Sequence, residues 1–386
     1  MNLWAICKRE LKLMFVKDVR RGAFILGAAL VYLALFAMLY GPHILRNVPL
    51  VVFDEDQTRL SRSLVQAFDD SERFRIVGYA ASEEDMQYFL REKKAFAALQ
   101  IPADFSRNAK TGIASSVLVT VNAGNLLIAN TVTTAAQEIV AAFAKSTGTM
   151  LAETANMLPA QGAGRAGPLT FALRVLNNPT LSYMDFFVLG LAMAAFQQGV
   201  FLAVGASIIG EYANLSCLDK LPVMRVLAGK LTPYLVCGTG GFGLVILIAN
   251  KLFAIPCKGS LVDLLLIGIT FTFTAISFAT LIASLCDNEV SFTKVALIYA
   301  VPSFILSGHI WPQYSMDLFT QIFSYTFPLF YFADSVRDLM ISGHAPFLYT
   351  KILILCCLGL FFIVTAAILL KRRAKQVPEL TGDVSK

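Results

Sequence analysis

The stretch LSGHIWPQYSMDLFTQIFSYTFPLFYFADSVRDLM, residues 306–340, decides the fold class of this sequence. It lies between two strongly apolar runs and is itself apolar and aromatic. A Ser-Gly pair and two prolines interrupt it, so no part of it offers the roughly 20 apolar residues that a membrane-crossing helix needs. Backbone that is not helical at membrane depth must be buried in protein or line a cavity. The question is which structure an apolar segment adopts when it is too short to cross the membrane again.

The composition of the whole chain is that of an integral membrane protein. Its 386 residues are 56% hydrophobic and 15% charged, with a mean hydropathy of +0.65. A soluble domain is typically about 45–50% apolar and about 25% charged. The predicted fold class is therefore an α-helical integral membrane protein. We expect six transmembrane helices, of which the fifth is short and contains a proline: Gly22–Tyr40, Tyr183–Ile209, Leu231–Phe253, Leu261–Leu285, Phe292–Ser307 and Phe347–Leu370.

Basic residues mark which ends of these helices face the cytoplasm. Lys and Arg cluster before the first span, after the sixth span and in the loop between spans two and three. Residues 43–182 instead contain 13 basic and 13 acidic residues, so they show no basic bias. Both termini are predicted to be cytoplasmic and residues 43–182 extracytoplasmic. The formal net charge of +6 is then a topology signal, and we expect no nucleic-acid partner.

The resulting domain organisation has five parts. Alternating and helical patterns in the extracytoplasmic part predict a small α/β unit that ends in a long helix over residues 125–158. A flexible break is expected at residues 159–168. The parts are a cytoplasmic interfacial helix (1–21), transmembrane helix 1 (22–42), the extracytoplasmic α/β domain (43–182), transmembrane helices 2–6 (183–370) and a cytoplasmic tail (371–386).

Two shorter patterns allow competing interpretations. The N-terminal LWAICKRELKLMFVK is predicted as an interfacial helix with Trp4, Cys7, Leu11 and Phe15 on one face, rather than as a poorly ordered basic tail. The acidic run 54–56 lacks the remaining ligands of a calcium loop. A strand-to-helix turn, with Asp56 as the N-cap of the helix, is therefore favoured over a cation site.

No motif in the sequence predicts catalysis. Gly229-Lys230 is followed by Leu231, so the phosphate-binding pattern that ends in Gly-Lys-Ser/Thr is absent, and no metalloprotease or serine-hydrolase motif is present. His43, His309 and His344 all map to the extracytoplasmic ends of spans. A metal site is one interpretation, but interfacial polar residues are the simpler one. No bound metal or cofactor is predicted, and energy for any work must come from a partner.

The opening stretch carries an ordered series of residues that resembles the C-terminal signature of the membrane subunits of type-2 ATP-binding-cassette exporters. In that family a re-entrant pair of short helices follows the fifth span. The resemblance implies a re-entrant segment at residues 308–337, with Ser307, Gly308, Trp311, Pro312 and Pro328 forming an outer gate. The matching positions are Leu306, Ser307, Gly308, Trp311, Pro312, Met316, Gln321, Pro328, Tyr331 and Arg337.

Residues 211–230 are similar to the cytoplasmic coupling segment of the same family. In the family this segment runs from an acidic residue to a proline and then to a Gly-Lys pair. The usual Gly-Thr after the acidic residue is missing here, which leaves open which ATPase the segment fits. The large domain between spans one and two resembles one subgroup. The residues assigned to coupling are Glu211, Pro222, Arg225, Gly229 and Lys230.

The resemblance implies a transporter without ATPase motifs of its own. Its expected partners are a cytoplasmic ATP-binding-cassette ATPase that binds ATP and Mg²⁺, a second copy or close paralogue of the chain, a periplasmic adaptor protein and the lipid membrane. The substrate class implied is a drug, a lipid or an envelope component, exported across a bacterial cytoplasmic membrane. A membrane-anchored receptor or assembly factor is the alternative from another class, and a membrane enzyme is the less favoured third.

Gln197 and Gln198 lie in the middle of the second span. Polar side chains are rare at this depth and are often functional. They are predicted either to line a translocation path or to form a helix–helix hydrogen bond, which is worth about 1 kcal/mol.

Overall fold

A computed structural model describes residues 3–40, 45–111, 115–121, 126–154, 184–212 and 222–382. The chain divides into two compact units: Met1–Gly41 with Ser182–Lys386, and Pro42–Leu181. Three parts of the chain discussed above lie outside the described residues: the predicted break at 159–168, most of the loop preceding Pro222, and His43.

The first unit is helical. It contains α1 (Leu3–Lys12), a π-helical turn (Leu13–Lys17), α2 (Val19–Tyr40), a second π-helical turn (Met184–Val188), α7 (Leu189–Ile209), α8 (Val223–Lys251), α9 (Leu261–Leu285), α10 (Glu289–Ile305), a 3₁₀ turn (Gln313–Ser315), α11 (Leu318–Ser324), α12 (Pro328–Ile341) and α13 (Leu348–Gly382). Helix α7 is central, because α2, α9, α10 and α12 all pack against it.

Five of the described helical segments are long and apolar enough to cross a membrane: Val19–Tyr40, Met184–Ile209, Val223–Lys251, Leu261–Leu285 and Leu348–Ala374. The predicted fifth span corresponds to α10, which has 17 residues. At 1.5 Å per residue it is about 25 Å long, short of the roughly 30 Å hydrocarbon core. A multi-pass membrane protein is therefore confirmed, whereas six crossings stay a prediction.

Two helix boundaries differ from the sequence-based expectation. Helix α8 begins at Val223, eight residues before the predicted start at Leu231, so the end of the predicted coupling loop is its first two turns. Helix α13 continues past Leu370 into the predicted tail. There Arg373 donates to the carbonyl of Cys286 at 2.8 Å, next to the last residue of α9. A cation at a helix C-terminus is stabilising, which explains why helical order extends this far.

The N-terminal segment forms an amphipathic helix, and its position at a membrane interface stays a prediction. Trp4 is 73% exposed, and Phe15, in the π-helical turn after α1, is 44% exposed. The side of α1 that is buried in the helical unit consists of Ile6, Cys7 and Glu10. The apolar repeat did not indicate that an acidic residue lies on this buried side.

The second unit is an α/β unit, as predicted. It contains β1 (Val48–Asp54), α3 (Arg59–Asp69), β2 (Phe74–Tyr79), α4 (Glu83–Arg91), β3 (Ala97–Ile101), α5 (Phe105–Thr111), β4 (Leu118–Val121) and α6 (Leu126–Thr154). The sheet order is β2-β1-β3-β4. The pairs β1–β2 and β1–β3 are parallel, and β3–β4 is antiparallel.

Side chains alternate across this sheet, which builds a core on each face. Leu50 and Val52 of β1 join the core that contains side chains of α3 and α6, whereas Val51 joins the one that contains side chains of α4. The predicted N-cap of α3, Asp56, was wrong by two positions. Thr58 caps α3, and Asp56 accepts a hydrogen bond from the Thr58 hydroxyl at 2.5 Å.

Candidate functional site

Glu10 is the centre of a buried network of charged and polar side chains in the helical unit. It is 0% exposed. Its carboxylate accepts hydrogen bonds from Ser207 Oγ at 2.6 Å, Tyr234 OH at 3.1 Å, Lys230 Nζ at 3.1 Å and Arg21 Nη1 at 3.3 Å. A buried carboxylate is tolerated only with partners of this kind. The four donors come from α2, α7 and α8, so Glu10 ties α1 to three helices at once.

Lys230 extends the network from Glu10 to the start of the predicted coupling loop. Its side chain is 3% exposed, and Nζ lies 2.6 Å from Glu211 Oε2. The other oxygen of Glu211 lies 2.7 Å from Arg9 Nη2. Glu211 follows the last turn of α7, whereas Lys230 lies near the start of α8. The ion pair therefore joins the two helices on either side of the loop, and Arg9 attaches α1 to the same point.

The Glu211 carboxylate stays ionised in this setting. Burial acts to raise its pKa, but the charges and hydrogen bonds of Lys230 and then Arg9 outweigh burial, so the pKa is lowered from its usual value. Asp18 behaves similarly, because its hydrogen bond from Arg20 is the largest effect and lowers its pKa.

Acids and bases alternate along the network. Arg21 lies between the Glu10 carboxylate at 3.3 Å and the Asp18 carboxylate at 3.0 Å. The alternating series is Arg9, Glu211, Lys230, Glu10, Arg21 and Asp18. Arg20 adds a further, exposed base at the end of the series, 2.8 Å from Asp18 Oδ1. Moving one helix end would therefore separate an acid from a base and leave a buried charge without that partner.

Gly229 explains why α1 can approach α8 so closely. A Cβ added at Gly229 would lie 3.0 Å from Ile6 Cβ and 3.2 Å from the Leu3 carbonyl oxygen. The absence of a side chain lets the two helices meet there, which places Lys230 beside Glu10. Of the other residues assigned to coupling, Pro222 precedes α8 as its N-cap, and Arg225 is exposed on its first turn.

The sequence prediction identified Glu211 and Lys230 and missed six members of this network: Arg9, Glu10, Asp18, Arg21, Ser207 and Tyr234. A signal for Glu10 was present, since it is the sole acid among the first 17 residues, and all the others except Asn2 are basic or apolar. Its spacing from Ile6 and Met14 also places it on the buried face. Nothing in the sequence indicates that Ser207 and Tyr234, on two other helices, converge on it.

The predicted outer gate residues surround the turn after α10. Ser307 is buried, and its hydroxyl donates to the Phe304 carbonyl at 2.7 Å. Gly308 has φ +78°, a left-handed conformation that glycine adopts without strain. Trp311 is 56% exposed and donates from Nε1 to the Ser315 carbonyl at 3.2 Å.

The two prolines start the short helical elements that follow this turn. Pro312 is the N-cap of the 3₁₀ turn, and Pro328 is the first residue of α12. Proline is favoured at the first position of a helix because its missing N–H has no partner there anyway. The segment thus contains two short helices, α11 and α12, while its re-entry into a membrane stays a prediction.

Gln197 and Gln198 have different surroundings. Gln197 is 2% exposed and donates from Nε2 to Ser303 Oγ at 3.2 Å, which joins α7 to α10. Both amide atoms of Gln198 are buried without a hydrogen-bond partner among the described residues. The first arrangement supports the helix–helix interpretation, and the second leaves a translocation role open for Gln198 alone.

The interpretations that involve metals gain no support. Within the described ranges no group of three or more His, Cys, Asp or Glu could hold a metal ion. His309 is buried, whereas His344 is exposed. In the α/β unit, Asp54 accepts from Ser61 Oγ at 2.7 Å within its own turn, and Asp56 accepts from the Ser106 N–H at 3.3 Å, which joins the turn to α5.

Comparisons with known proteins agree with this architecture. A family model described as "ABC-2 family transporter protein" matches residues 22–368. The probable multidrug ABC transporter permease YbhR of Escherichia coli is 24% identical over 348 residues, covering 88% of this chain and 90% of YbhR. The related permease YbhS is 30% identical over 167 residues, 42% of this chain and 44% of YbhS. ABC transporter G family member 20 of Dictyostelium discoideum is 22% identical over 212 residues, 53% of this chain and 29% of that protein.

The family match begins inside α2 and ends inside α13, 14 residues before the end of that helix, and it also spans the inserted α/β unit. It includes every residue of the buried network except Glu10, Arg9, Asp18 and Arg21, which precede its first matched position. The chain belongs to the ABC-2 family and is a transmembrane permease subunit of an ABC transporter.

Proposed function

We propose that this permease is the membrane subunit of an ATP-driven exporter. A separate cytoplasmic ATPase would hydrolyse ATP with Mg²⁺ and move a drug, lipid or envelope component out across a bacterial cytoplasmic membrane. The chain would act with a second copy or a close paralogue, with both termini in the cytoplasm. The receptor alternative is not favoured, because the family match covers the helical unit as well as the α/β unit.

The observation that carries the proposal is the ion pair between Glu211 and Lys230. It joins α7 and α8 at the two ends of the predicted coupling loop. The buried Lys230 also contacts Glu10, so the same charge connects the loop to α1. A push from an ATPase on this loop would therefore be transmitted to four helices that share one rigid set of contacts. Buried, alternating charges suit this role because they resist partial displacement.

The test is co-purification of the tagged protein from its native host, followed by an ATP hydrolysis assay in lipid discs. We expect a stoichiometric ATPase subunit. We also expect Glu211→Gln to leave that assembly intact while reducing substrate-stimulated hydrolysis about tenfold, since a buried charged hydrogen bond contributes about 1.5–3 kcal/mol.

A matched control comes from an exposed ion pair in the other unit. Arg46 and Glu72 lie 3.3 Å apart, with side chains 61% and 74% exposed. Exposed pairs contribute little. Glu72→Gln should therefore leave both assembly and hydrolysis at wild-type levels. Isolation without any ATPase in several detergents and lipid discs would count against the exporter, and so would wild-type coupling in the Glu211→Gln protein.

A further inference from the structure

His309 occupies an apolar slot at the end of the helical unit where α7 begins. Its side chain is 1% exposed. The imidazole stacks on Phe186, with ring centroids 5.3 Å apart and planes 12° apart, and its centroid lies 6.4 Å from that of Phe304. Gly190 leaves room for it, since a Cβ there would lie 2.1 Å from His309 Cδ2. One side chain thus holds the turn after α10 against the start of α7.

The two ring nitrogens of His309 find few hydrogen-bond partners in this apolar slot. Neither ring nitrogen makes a hydrogen bond of normal geometry within the part of the chain that the structure describes. The Phe186 backbone is close enough to favour the charged form, but burial and then the charge of Arg337 oppose it, and the pKa of His309 is lowered to about 3. The ring is therefore held neutral, and water outside the slot would solvate it better.

The charged groups around the slot come from three elements. Helix α7 contains no charged residue, and those of α10 lie in its first two turns. Arg337 Cζ lies 5.5 Å from the centroid of Phe186, so a cation already faces the ring system. Its charge is shared with two aspartates on its own helix. The full set is Arg337, Asp334 and Asp338 on α12, Lys351 on α13, and Asp185 in the turn before α7.

We propose that His309 is a latch: the neutral imidazole holds residues 306–312 against α7, and its protonation releases them and opens this end of the helical unit to water. Gly308, the residue before His309, has a left-handed backbone conformation, and as a glycine it can change its backbone angles when residues 306–312 move. The latch depends only on contacts within the helical unit. It goes beyond the proposed function, because it requires neither an ATPase nor a direction of transport.

The direction of the pH effect follows from linkage. An imidazole in water has a pKa of about 6.5, whereas the buried ring has a lower one, so the closed state binds fewer protons than the open state. The closed state keeps its full advantage above about pH 6.5 and loses it as the pH falls below that value. Between pH 7.5 and pH 5.5 the ratio of open to closed molecules should rise about tenfold.

Tryptophan fluorescence can report this opening in the intact protein. The chain has two tryptophans, so Trp4→Phe leaves Trp311, which is close to His309, as the single reporter. The measurement is quenching by acrylamide, a neutral molecule, in lipid discs from pH 8 to pH 5. We expect quenching of Trp311 to increase below pH 6.5. The increase should persist when His344→Gln is added as the matched control, and it should vanish when His309→Phe is added.

Substitution at Gly190 gives an independent check. A methyl group there takes the space of the imidazole, so Gly190→Ala combined with Trp4→Phe should show the acid level of quenching at every pH. Equal pH profiles with and without His309→Phe would overturn the latch. So would a flat profile in the Trp4→Phe protein.

Hydrogen–deuterium exchange of the imidazole C2–H, followed by mass spectrometry, tests the closed state without any substitution. At pH 7.5 His309 should exchange at least tenfold more slowly than the exposed His344, and equal rates would overturn the proposal. Neither measurement involves ATP. If these measurements contradict the latch while an ATPase co-purifies, only the latch proposal is overturned. If they support the latch but no ATPase co-purifies, only the exporter proposal is overturned.

Discussion

The two ends of α7 bury titratable side chains in opposite ways. Near its C-terminal end, Glu10 is buried with four hydrogen-bond donors and lies within a series of alternating acids and bases. Near its N-terminal end, His309 is equally buried between aromatic rings, but its nitrogens lack hydrogen bonds of normal geometry within the described ranges. Glu10 and His309 are therefore buried to the same extent, but only Glu10 has hydrogen-bond partners for its polar atoms.

This difference indicates which end of α7 keeps its contacts when the molecule moves. A buried network in which every charge is paired is costly to separate, because any partial opening leaves a buried charge without its partner. A buried ring held by packing alone can leave without breaking a strong polar contact. We infer that the end with Glu10 moves as a rigid unit and that the end with His309 is the one that opens.

Removal of the Glu10 carboxylate should have the largest effect and would break the comparison most directly. Glu10→Ala leaves the cationic side chains of Arg21 and Lys230 buried without their shared partner. We expect a loss of about 3–5 kcal/mol in the free energy of unfolding, as for other broken buried ion pairs. The measurement is unfolding in mixed micelles with increasing sodium dodecyl sulfate.

The matched change at the other end is His309→Phe. It keeps an aromatic ring in the slot and removes no hydrogen bond of normal geometry, so it should change the free energy of unfolding by less than about 1 kcal/mol. The two ends would not differ as described if the Glu10→Ala protein were as stable as the His309→Phe protein.

Separation of α1 from α8 should have the next largest effect. Gly229→Val places a branched side chain against Ile6 and the Leu3 carbonyl. Overpacking of this kind costs about 1–3 kcal/mol and should move Lys230 away from Glu10. We expect lower stability in the same unfolding assay and weaker coupling to ATP hydrolysis.

The control for this change lies on the same helix. A Cβ at Gly240 meets no atom within 4 Å among the described residues, so Gly240→Val changes helix propensity without crowding a neighbour. The effect should be within about 0.5 kcal/mol. A similar loss of stability in both proteins would indicate that valine in the helix, rather than the contact with α1, is responsible.

The sequence predicted the elements of this molecule better than it predicted their convergence. Helix and strand periodicities located the apolar spans and the α/β unit, because burial of one face imposes a repeat on the chain. The start of α8 was placed too late, because Arg225, Gly229 and Lys230 interrupt the apolar run that begins at Val223. The helix nevertheless begins at Val223, since Met, Leu and Ala favour helix and Pro222 precedes it as the N-cap.

Only part of the candidate site could be predicted, because most of its residues come together from separate helices. Glu211 and Lys230 were found because a family pattern connects them along the chain. The other partners of Glu10 come from helices far away in sequence, 197 residues away for Ser207 and 224 for Tyr234. Local patterns contain no information about such long-range contacts. The side of α1 that packs against α8 was not predicted, because a paired carboxylate can occupy a buried position that is more often hydrophobic.

The neighbouring glutamines of α7 test the same idea of polar satisfaction at the centre of the helix. Gln197 joins α7 to α10 through Ser303, whereas the amide of Gln198 has no partner within the described ranges. We expect Gln197→Leu to cost about 0.6–1 kcal/mol in the free energy of unfolding. Gln198→Leu should cost nothing, because a buried unsatisfied amide is itself unfavourable. Equal effects of the two substitutions would contradict the assignment.

The smallest expected effect is on the pH dependence of stability. Near Glu211 the contribution to stability should not depend on pH between pH 8 and pH 5, whereas near His309 it should. The pKa of Glu211 is lowered from its usual value of 4.5, because the effect of burial is outweighed by the charges and hydrogen bonds of Lys230 and Arg9. Its contribution to stability is therefore fully present above about pH 4.5 and is lost only as the pH falls through the lowered pKa. The difference in thermal midpoint between wild type and Glu211→Gln should stay constant from pH 8 to pH 5. Over the same range, the difference between wild type and His309→Phe should change below pH 6.5, because the latch releases there. A Glu211 difference that varied between pH 8 and pH 5 would mean that its carboxylate is protonated in the folded protein, and the two ends of α7 would then respond to acid alike.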